Sequence, residues 1–293
     1  MSSAPPSLAD LRRRIDELDD ALHDVLMARA AVVESVAKAK RRDATPPLRP
    51  GREAQIIRRL LARHRGAFPK PILVRLWREL LAGTLAIQLD LQLAVYAPEN
   101  AAGLWDLARD HYGSHTAMAG FRSTGEVLRA LGDGRATVGI LPMPGQNDGE
   151  AWWRFLAGGD AAPLRIIARL PFGARGNARS DGGDAVVIGA IEPEESGADR
   201  SLYVIETGEE LSRARLLAAL AGIGLPAAVI AASEPDSGLV AQLVEFDAWI
   251  AAGDARLKDA LAGLSGKALR IAWLGAYARP LSASDLAEAG RGR

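Results

Sequence analysis

Residues 28–53 read ARAAVVESVAKAKRRDATPPLRPGRE. The first half is an apolar helical stripe, and the second is a basic elbow broken by Pro46, Pro47 and Pro50. Arg29 stands on the stripe among Leu22, Val25, Leu26, Val32, Val33 and Val36, where a packed core takes hydrocarbon. Working back toward the N-terminus, Leu11, Ile15, Leu18, Leu22, Val25, Arg29, Val32 and Val36 follow at alternating steps of four and three, a sustained helical seam. Ser7 with Asp10 forms a capping-box pattern after Pro5 and Pro6, which predicts a helix start near Leu8. No Gly or Pro interrupts the chain before Pro46, so this helix is predicted to run to about Arg42, roughly 50 Å. Such a rod outreaches the core that some ninety residues build. Its apolar face is therefore predicted to meet a second copy of the chain, which implies a homodimer through this long helix.

Working forward, a second helix is predicted from about Pro50 to Arg65, with Ile56, Ile57, Leu60 and Leu61 inward and Gly66 as its stop. Pro71 opens a third, whose predicted stripe is Leu73, Trp77, Leu80, Leu81, Thr84, Gln88 and Leu91. Residues 1–92 are thus read as an all-α three-helix domain. Alternation then takes over. Strands are predicted at 91–100, 136–143, 164–170, 184–191, 201–207, 227–233, 239–246 and 269–277, with helices near 101–112, 123–132, 209–222 and 254–264. The Gly- and Asp-rich stretch 173–184 reads as a joint or loop, and the residues after Leu281 as a polar tail.

A chain of 293 residues suggests two or three domains. The formal charge is zero, yet residues 1–92 carry 17 Lys and Arg against 11 Asp and Glu, and the remainder 19 against 25. The first segment therefore expects an anionic partner: a small dianion, a nucleic acid or the acidic remainder of the chain. Cysteine is absent, which excludes disulfides, thiol nucleophiles and cysteine metal sites. MSSAPPSLADLRRR lacks the apolar run of a signal peptide, and the hydrophobic run 72–96 is interrupted by Arg75, Arg78, Glu79 and Asp90. The reading is a soluble cytoplasmic protein with no membrane partner. His111 and His115 straddle Gly113 with no third ligand in view, so no metal site is expected.

Lys40 follows Arg29 by eleven residues, about 20° short of or past three full turns, so both cations point the same way about 16 Å apart. The elbow brings Arg52 and Glu53 into the first turn of the second helix, while Thr84 and Gln88 replace apolar residues on the third. Taken singly, each has an ordinary explanation. An Arg on an apolar stripe snorkels or pairs with a carboxylate, Thr and Gln find local partners, and Lys40 beside Arg41 and Arg42 is solvated surface. Taken together, they leave more cations than carboxylates inside the helices, an imbalance that a dianionic ligand corrects. Arg12 lies 17 residues before Arg29, roughly 25 Å away and about 100° round the helix, so it does not easily serve the same site within one chain but could reach it from an antiparallel partner; standing alone, it reads as one arginine of an exposed RRR run. A basic module for nucleic acid would instead keep its seams intact and its cations outside, which the placement of Arg29, Thr84 and Gln88 argues against.

The runs LRRRIDELDDALHDVLMAR, KAK, PGRE and LWRELLAGTLAIQ resemble the all-helical chorismate mutases, over residues 8 to about 92. The resemblance implies a domain-exchanged dimer that isomerises chorismate to prephenate without cofactor or metal. In that family pattern Arg29, with Arg12 from the partner chain, clamps two carboxylates, and Lys40 binds a carboxylate and the ether oxygen. Gln88 meets the ether oxygen from the other side, Arg52 and Glu53 the hydroxyl region, and Thr84 a carboxylate. Two positions depart from the pattern: Thr84 stands where Ser is common, and Arg49 where many members carry Asp.

Residues 93 to about 282 are similar to a degenerate prephenate dehydratase followed by an ACT-like domain, on VYAPEN, VGILPMP and LGAYARP. Gly145, Gln146 and Asn147 replace the Glu-Asn-Ser of that family, Arg200-Ser201-Leu202 is the nearest approach to its Thr-Arg-Phe, and AASEP at 231–235 stands near its missing Glu-Ser-Arg-Pro. The expected organisation is multidomain: a helical mutase domain at 1–92, a dehydratase-like α/β region at 93–198, an ACT-like α+β domain at 199–282 and a tail at 283–293. The expected function is chorismate mutase in aromatic amino acid biosynthesis, with a regulatory or structural C-terminal region and an aromatic amino acid as effector. The alternatives are a bifunctional mutase–dehydratase and a non-catalytic mutase-like regulator.

Overall fold

The computed structural model describes residues 5–43, 45–99, 102–145, 151–158, 164–177, 179, 183–234, 238–262, 264 and 268–287. Three helices come first, α1 (Leu8–Arg42), α2 (Pro50–Arg63) and α3 (Lys70–Ala86), and a mixed α/β region follows. The predicted order of a helical segment before an α/β segment is what the chain adopts. It divides into two compact units, one of Met1–Pro47 with Thr84–Asp90, the other of Leu48–Gly83 with Leu91–Arg293.

In the first unit, α1 begins where the capping box predicts. The Ser7 Oγ accepts from the Asp10 amide, and the Asp10 carboxylate accepts from the Ser7 amide. Lys40, Arg41 and Arg42 fill its last turn, where carbonyl dipoles favour positive charge. The predicted seam is solvent-facing in the single chain: Leu11, Ile15, Leu18, Leu22, Val25, Val32 and Val36 are between 41% and 64% exposed.

The second unit is built on one nine-stranded sheet, in the order β2-β1-β3-β5-β4-β9-β6-β8-β7. Its strands are β1 (Gln92–Tyr96), β2 (Ala117–Phe121), β3 (Val138–Pro142), β4 (Arg165–Leu170), β5 (Ala185–Gly189), β6 (Asp199–Gly208), β7 (Ala227–Ala232), β8 (Leu239–Phe246) and β9 (Ala268–Ala278). The helices between them are α4 (Gly103–Tyr112), α5 (Thr124–Gly132), α6 (Trp153–Ala157), α7 (Arg213–Gly222) and α8 (Ala255–Ala262), with α9 (Ala283–Leu286) at the end. Strands β2, β1 and β3 are parallel and β3, β5 and β4 antiparallel. The sequence β6-α7-β7-β8-α8-β9 is a βαββαβ unit of the ferredoxin-like kind, with α7 and α8 covering Tyr203, Ile205, Val244 and Phe246. Its other face, through Leu202, Val204, Leu243 and Leu274, joins the core of Val127, Trp152, Trp153 and Ile188. The two parts of the sheet meet between β4 and β9 at Ile166 and Gly275, where a Cβ on Gly275 would overlap the Ile166 backbone.

Eight of the nine strands fall where alternation predicts them. Strand β2, AMAGF, escapes because it has no β-branched residue and no alternation of polar with apolar side chains. Helix α9 falls within the stretch predicted to be a tail, held by its own Ser282–Asp285 capping box; residues 288–293 of that tail lie outside the described residues. Helices α2 and α3 share a core with the sheet part of the second unit: Ala54, Ile57, Leu61, Val74 and Leu81 pack with Phe172 and Ala278. The buried stripe of α3 is Val74, Arg78, Leu81 and Leu85, one residue round from the predicted stripe, which leaves Leu73, Trp77, Leu80, Thr84 and Gln88 half-buried. The helix also ends at Ala86, so Gln88 lies in the turn that follows rather than on the helix.

Candidate functional site

Five of the seven candidate residues lie in the first unit. Arg12 is exposed on α1, between an Arg13–Asp10 pair and an Arg14–Glu17 pair at 2.7 Å. Arg29 is half-buried, and its side chain has no hydrogen bond or ion pair with any described residue, so no carboxylate of the described residues neutralises it. Lys40 is half-buried at the elbow, where its ammonium donates to the Pro47 carbonyl at 3.0 Å and its own carbonyl accepts from the Thr45 amide. The Gln88 Nε2 donates to the Thr84 carbonyl at 3.1 Å, while its Oε1 is buried without a hydrogen-bond partner among the described residues. A buried acceptor left unmade costs about 1–3 kcal/mol, which a ligand donor or a bound water would return.

Arg52 and Glu53 belong to the second unit, in the first turn of α2. The Arg52 side chain is exposed and donates to Gln55 at 3.2 Å. Glu53 faces inward, where its Oε2 accepts from Arg78 Nη1 at 2.9 Å; the two side chains are 16% and 5% exposed. The Arg78 guanidinium also lies 4.9 Å from the centre of the Phe172 ring. Around this pair burial dominates the titration: it pushes His111 well below its usual value, with Arg78 adding to the shift, and it pushes the Tyr112 phenol up, with Glu53 adding.

The N-terminus of α2 is held by Glu194, which the sequence reading did not single out. The Glu194 carboxylate accepts from Arg49 Nε and Nη2, at 3.0 and 2.6 Å, and from the Arg52 backbone amide at 3.0 Å. This places a negative charge on the exposed amides of the helix start. Gly51 makes the approach possible, since a Cβ there would lie 2.7 Å from the Glu194 carbonyl oxygen. One turn on, Gln55 donates to the Glu195 carbonyl, and Arg58 to the Ser196 hydroxyl and the Ala198 and Arg279 carbonyls. Arg49, which departs from the mutase pattern, is thus the partner of a carboxylate 145 residues away. Glu194 carries no local signal. Arg78 does, because it follows Val74 by four and precedes Leu81 by three.

On the dehydratase side, Gly145 takes a φ of 82° and packs so closely on the Ile230 carbonyl that a side chain would overlap it; Gln146 and Asn147 lie outside the described residues. Arg200 donates to Glu245 at 2.9 Å and Asp247 at 3.0 Å, Ser201 Oγ accepts from the Ile250 amide, and Leu202 is fully buried. In AASEP, the Ser233 hydroxyl accepts from the Ala241 amide, and Pro235 lies outside the described residues. No group of three or more His, Asp or Glu among the described residues is placed to hold a metal ion. Among those residues, no helix is long and apolar enough to cross a membrane.

Residues 11–89 match the family model described as chorismate mutase type II. The bifunctional chorismate mutase/prephenate dehydratase of Pseudomonas aeruginosa is 28% identical over 147 residues, 48% of this chain and 40% of that protein. The protein of the same name from Aquifex aeolicus is 24% identical over 146 residues, again 48% of this chain and 40% of that one. The matched stretch is thus about 40% of the length of these curated relatives. The solved prephenate dehydratase in complex with L-Phe from Arthrobacter aurescens aligns with 66% of this chain and 92% of its own, at 16% identity and a TM-score of 0.47, a similarity that by itself establishes neither fold nor function. The N-terminal region of the chain carries a type II chorismate mutase domain.

Proposed function

We propose that the protein isomerises chorismate to prephenate in aromatic amino acid biosynthesis. The observation that carries this reading is Arg29, a half-buried cation on an apolar seam with no carboxylate partner among the described residues, within the segment that matches the mutase family. A Claisen rearrangement breaks one ether C–O bond and forms one C–C bond in the same molecule, with no proton, electron or leaving group to transfer. The protein selects the compact conformer and stabilises charge developing on the ether oxygen. Arg29 and Thr84 would hold carboxylates, Lys40 and Gln88 would meet the ether oxygen from opposite sides, and Arg52 and Glu53 would meet the hydroxyl region. Arg12 would come from a second copy. The exposed apolar seam of α1 supports that dimer, since a continuous stripe of seven half-exposed aliphatic residues is costly to leave in water.

In this reading residues 1–92 form the mutase domain, 93–198 a dehydratase-like region, 199–282 an ACT-like domain and 283–293 a tail. The C-terminal region is either regulatory, with an aromatic amino acid as its effector, or a structural remnant without one. Loss of dehydration is supported by the crowded turn at Gly145 and by Arg200 being occupied with Glu245 and Asp247. A second reading, a bifunctional mutase–dehydratase, is favoured by the names of the curated relatives.

The test is the fall in chorismate absorbance with the purified full chain, with Arg29→Ala and Gln88→Ala alongside. Loss of one such donor lowers the rate by roughly 10²–10³. An inactive parent protein, or full activity in both variants, rules the mutase reading out. Phenylpyruvate formed from supplied prephenate would establish the bifunctional reading instead.

A further inference from the structure

We infer that Glu194, on the segment joining β5 to β6, is a positioning residue for the mutase site: it holds the first turn of α2 and so sets Arg52 and Glu53. The inference rests on the proposed mutase activity and adds to it a dependence on residues far outside the mutase segment. Three independent features point the same way. The carboxylate is shared between the forked Arg49 guanidinium and the Arg52 backbone amide, so it fixes both the side and the end of the helix. Gly51 admits the Glu194 backbone to a distance that any larger residue would block. Gln55 and Arg58 continue the contact along 195–198, so the strap grips two successive turns. The mutase segment itself supplies Arg49, whose guanidinium the Glu194 carboxylate matches at 2.6 Å.

With Glu194→Ala, the α2 start loses its anionic cap and Arg49 its partner. Because both side chains are partly exposed, at 42% and 31%, the expected effect is modest: a rise of about three- to tenfold in KM for chorismate, with kcat changed less than twofold. Glu194→Gln keeps an acceptor for the Arg52 amide and recovers part of the loss. Gly51→Ala, which touches neither charge, raises KM in the same direction. In Arg49→Met with Glu194→Ala, the double variant is no worse than the more affected single one, since both remove one interaction. All are measured where circular dichroism shows the variant folded, with hydrogen exchange of the amides of residues 51–54 as a second readout, expected to quicken in Glu194→Ala. Unchanged KM and unchanged exchange in Glu194→Ala, or effects of the two single variants that add in full, overturn the inference. A parent protein without mutase activity would instead overturn the function on which it rests.

Discussion

Replacing Glu53 by Ala removes the carboxylate from a guanidinium that has almost no contact with water. Arg78 is 4% exposed, its Nη1 is 2.9 Å from Glu53 Oε2, and its neighbours include the Phe172 ring and a histidine kept neutral by burial. Breaking a buried pair from one side leaves a desolvated charge, at a cost of about 3–5 kcal/mol. Against a total of roughly 5–15 kcal/mol for a domain, that is enough to unfold much of the unit at moderate temperature. Glu53→Gln retains an acceptor and loses only the charge, so about 1.5–3 kcal/mol is expected. The double change Glu53→Leu with Arg78→Met removes both charges and should be far milder than Glu53→Ala alone. Urea unfolding followed by fluorescence and circular dichroism reads these differences from the midpoint at constant slope. A loss below about 1 kcal/mol in Glu53→Ala would refute the account of Arg78 as a buried cation dependent on Glu53. The series also separates the Arg78 pairing of Glu53 from its proposed place in the site, because a fall in chorismate turnover in a folded Glu53→Gln protein would measure the latter alone.

Three further outcomes are expected. His111 is held neutral in the folded chain, so on acidification from about pH 6.5 the unfolded chain binds a proton that the native one refuses; stability should fall as pH drops below that value, by up to about 1.4 kcal/mol per pH unit, and His111→Gln should flatten this part of a pH series of urea midpoints. Gly275→Ala should lower stability by about 2 kcal/mol or more in the same assay, since a Cβ collides with the Ile166 backbone at the β4–β9 junction; a change under 0.5 kcal/mol would contradict that close approach. Leu22→Glu on the exposed α1 seam should convert a dimer to monomers in sedimentation and remove mutase activity together with it; an active monomer would dispose of the shared-site reading of Arg12.

Local chemistry wrote much of this architecture into the chain. The Ser7–Asp10 box, the four-and-three seam and Pro50 located α1 and α2, because capping and periodicity depend only on neighbours a few residues apart. Strand signals located the eight strands that contain Val or Ile, and lost β2, AMAGF, which has no β-branched residue and no polar alternation. The buried stripe of α3 lies one residue round from the predicted one because it runs through Arg78, which apolar periodicity passes over and which the Glu53 carboxylate makes acceptable inside.

The sequence by itself determined the helical start, the α/β remainder, the place of Arg29 on an apolar seam and the seam itself. Only the tertiary structure decided that Glu53 would answer Arg78, that Arg49 would answer Glu194, and that strands β1 to β9 would form a single sheet joined at Ile166 and Gly275. The physical reason is range. Caps and periodicities are set by atoms within a turn of one another, whereas the partner of a charge is chosen by whichever distant segment the folded backbone brings within about 3 Å of it.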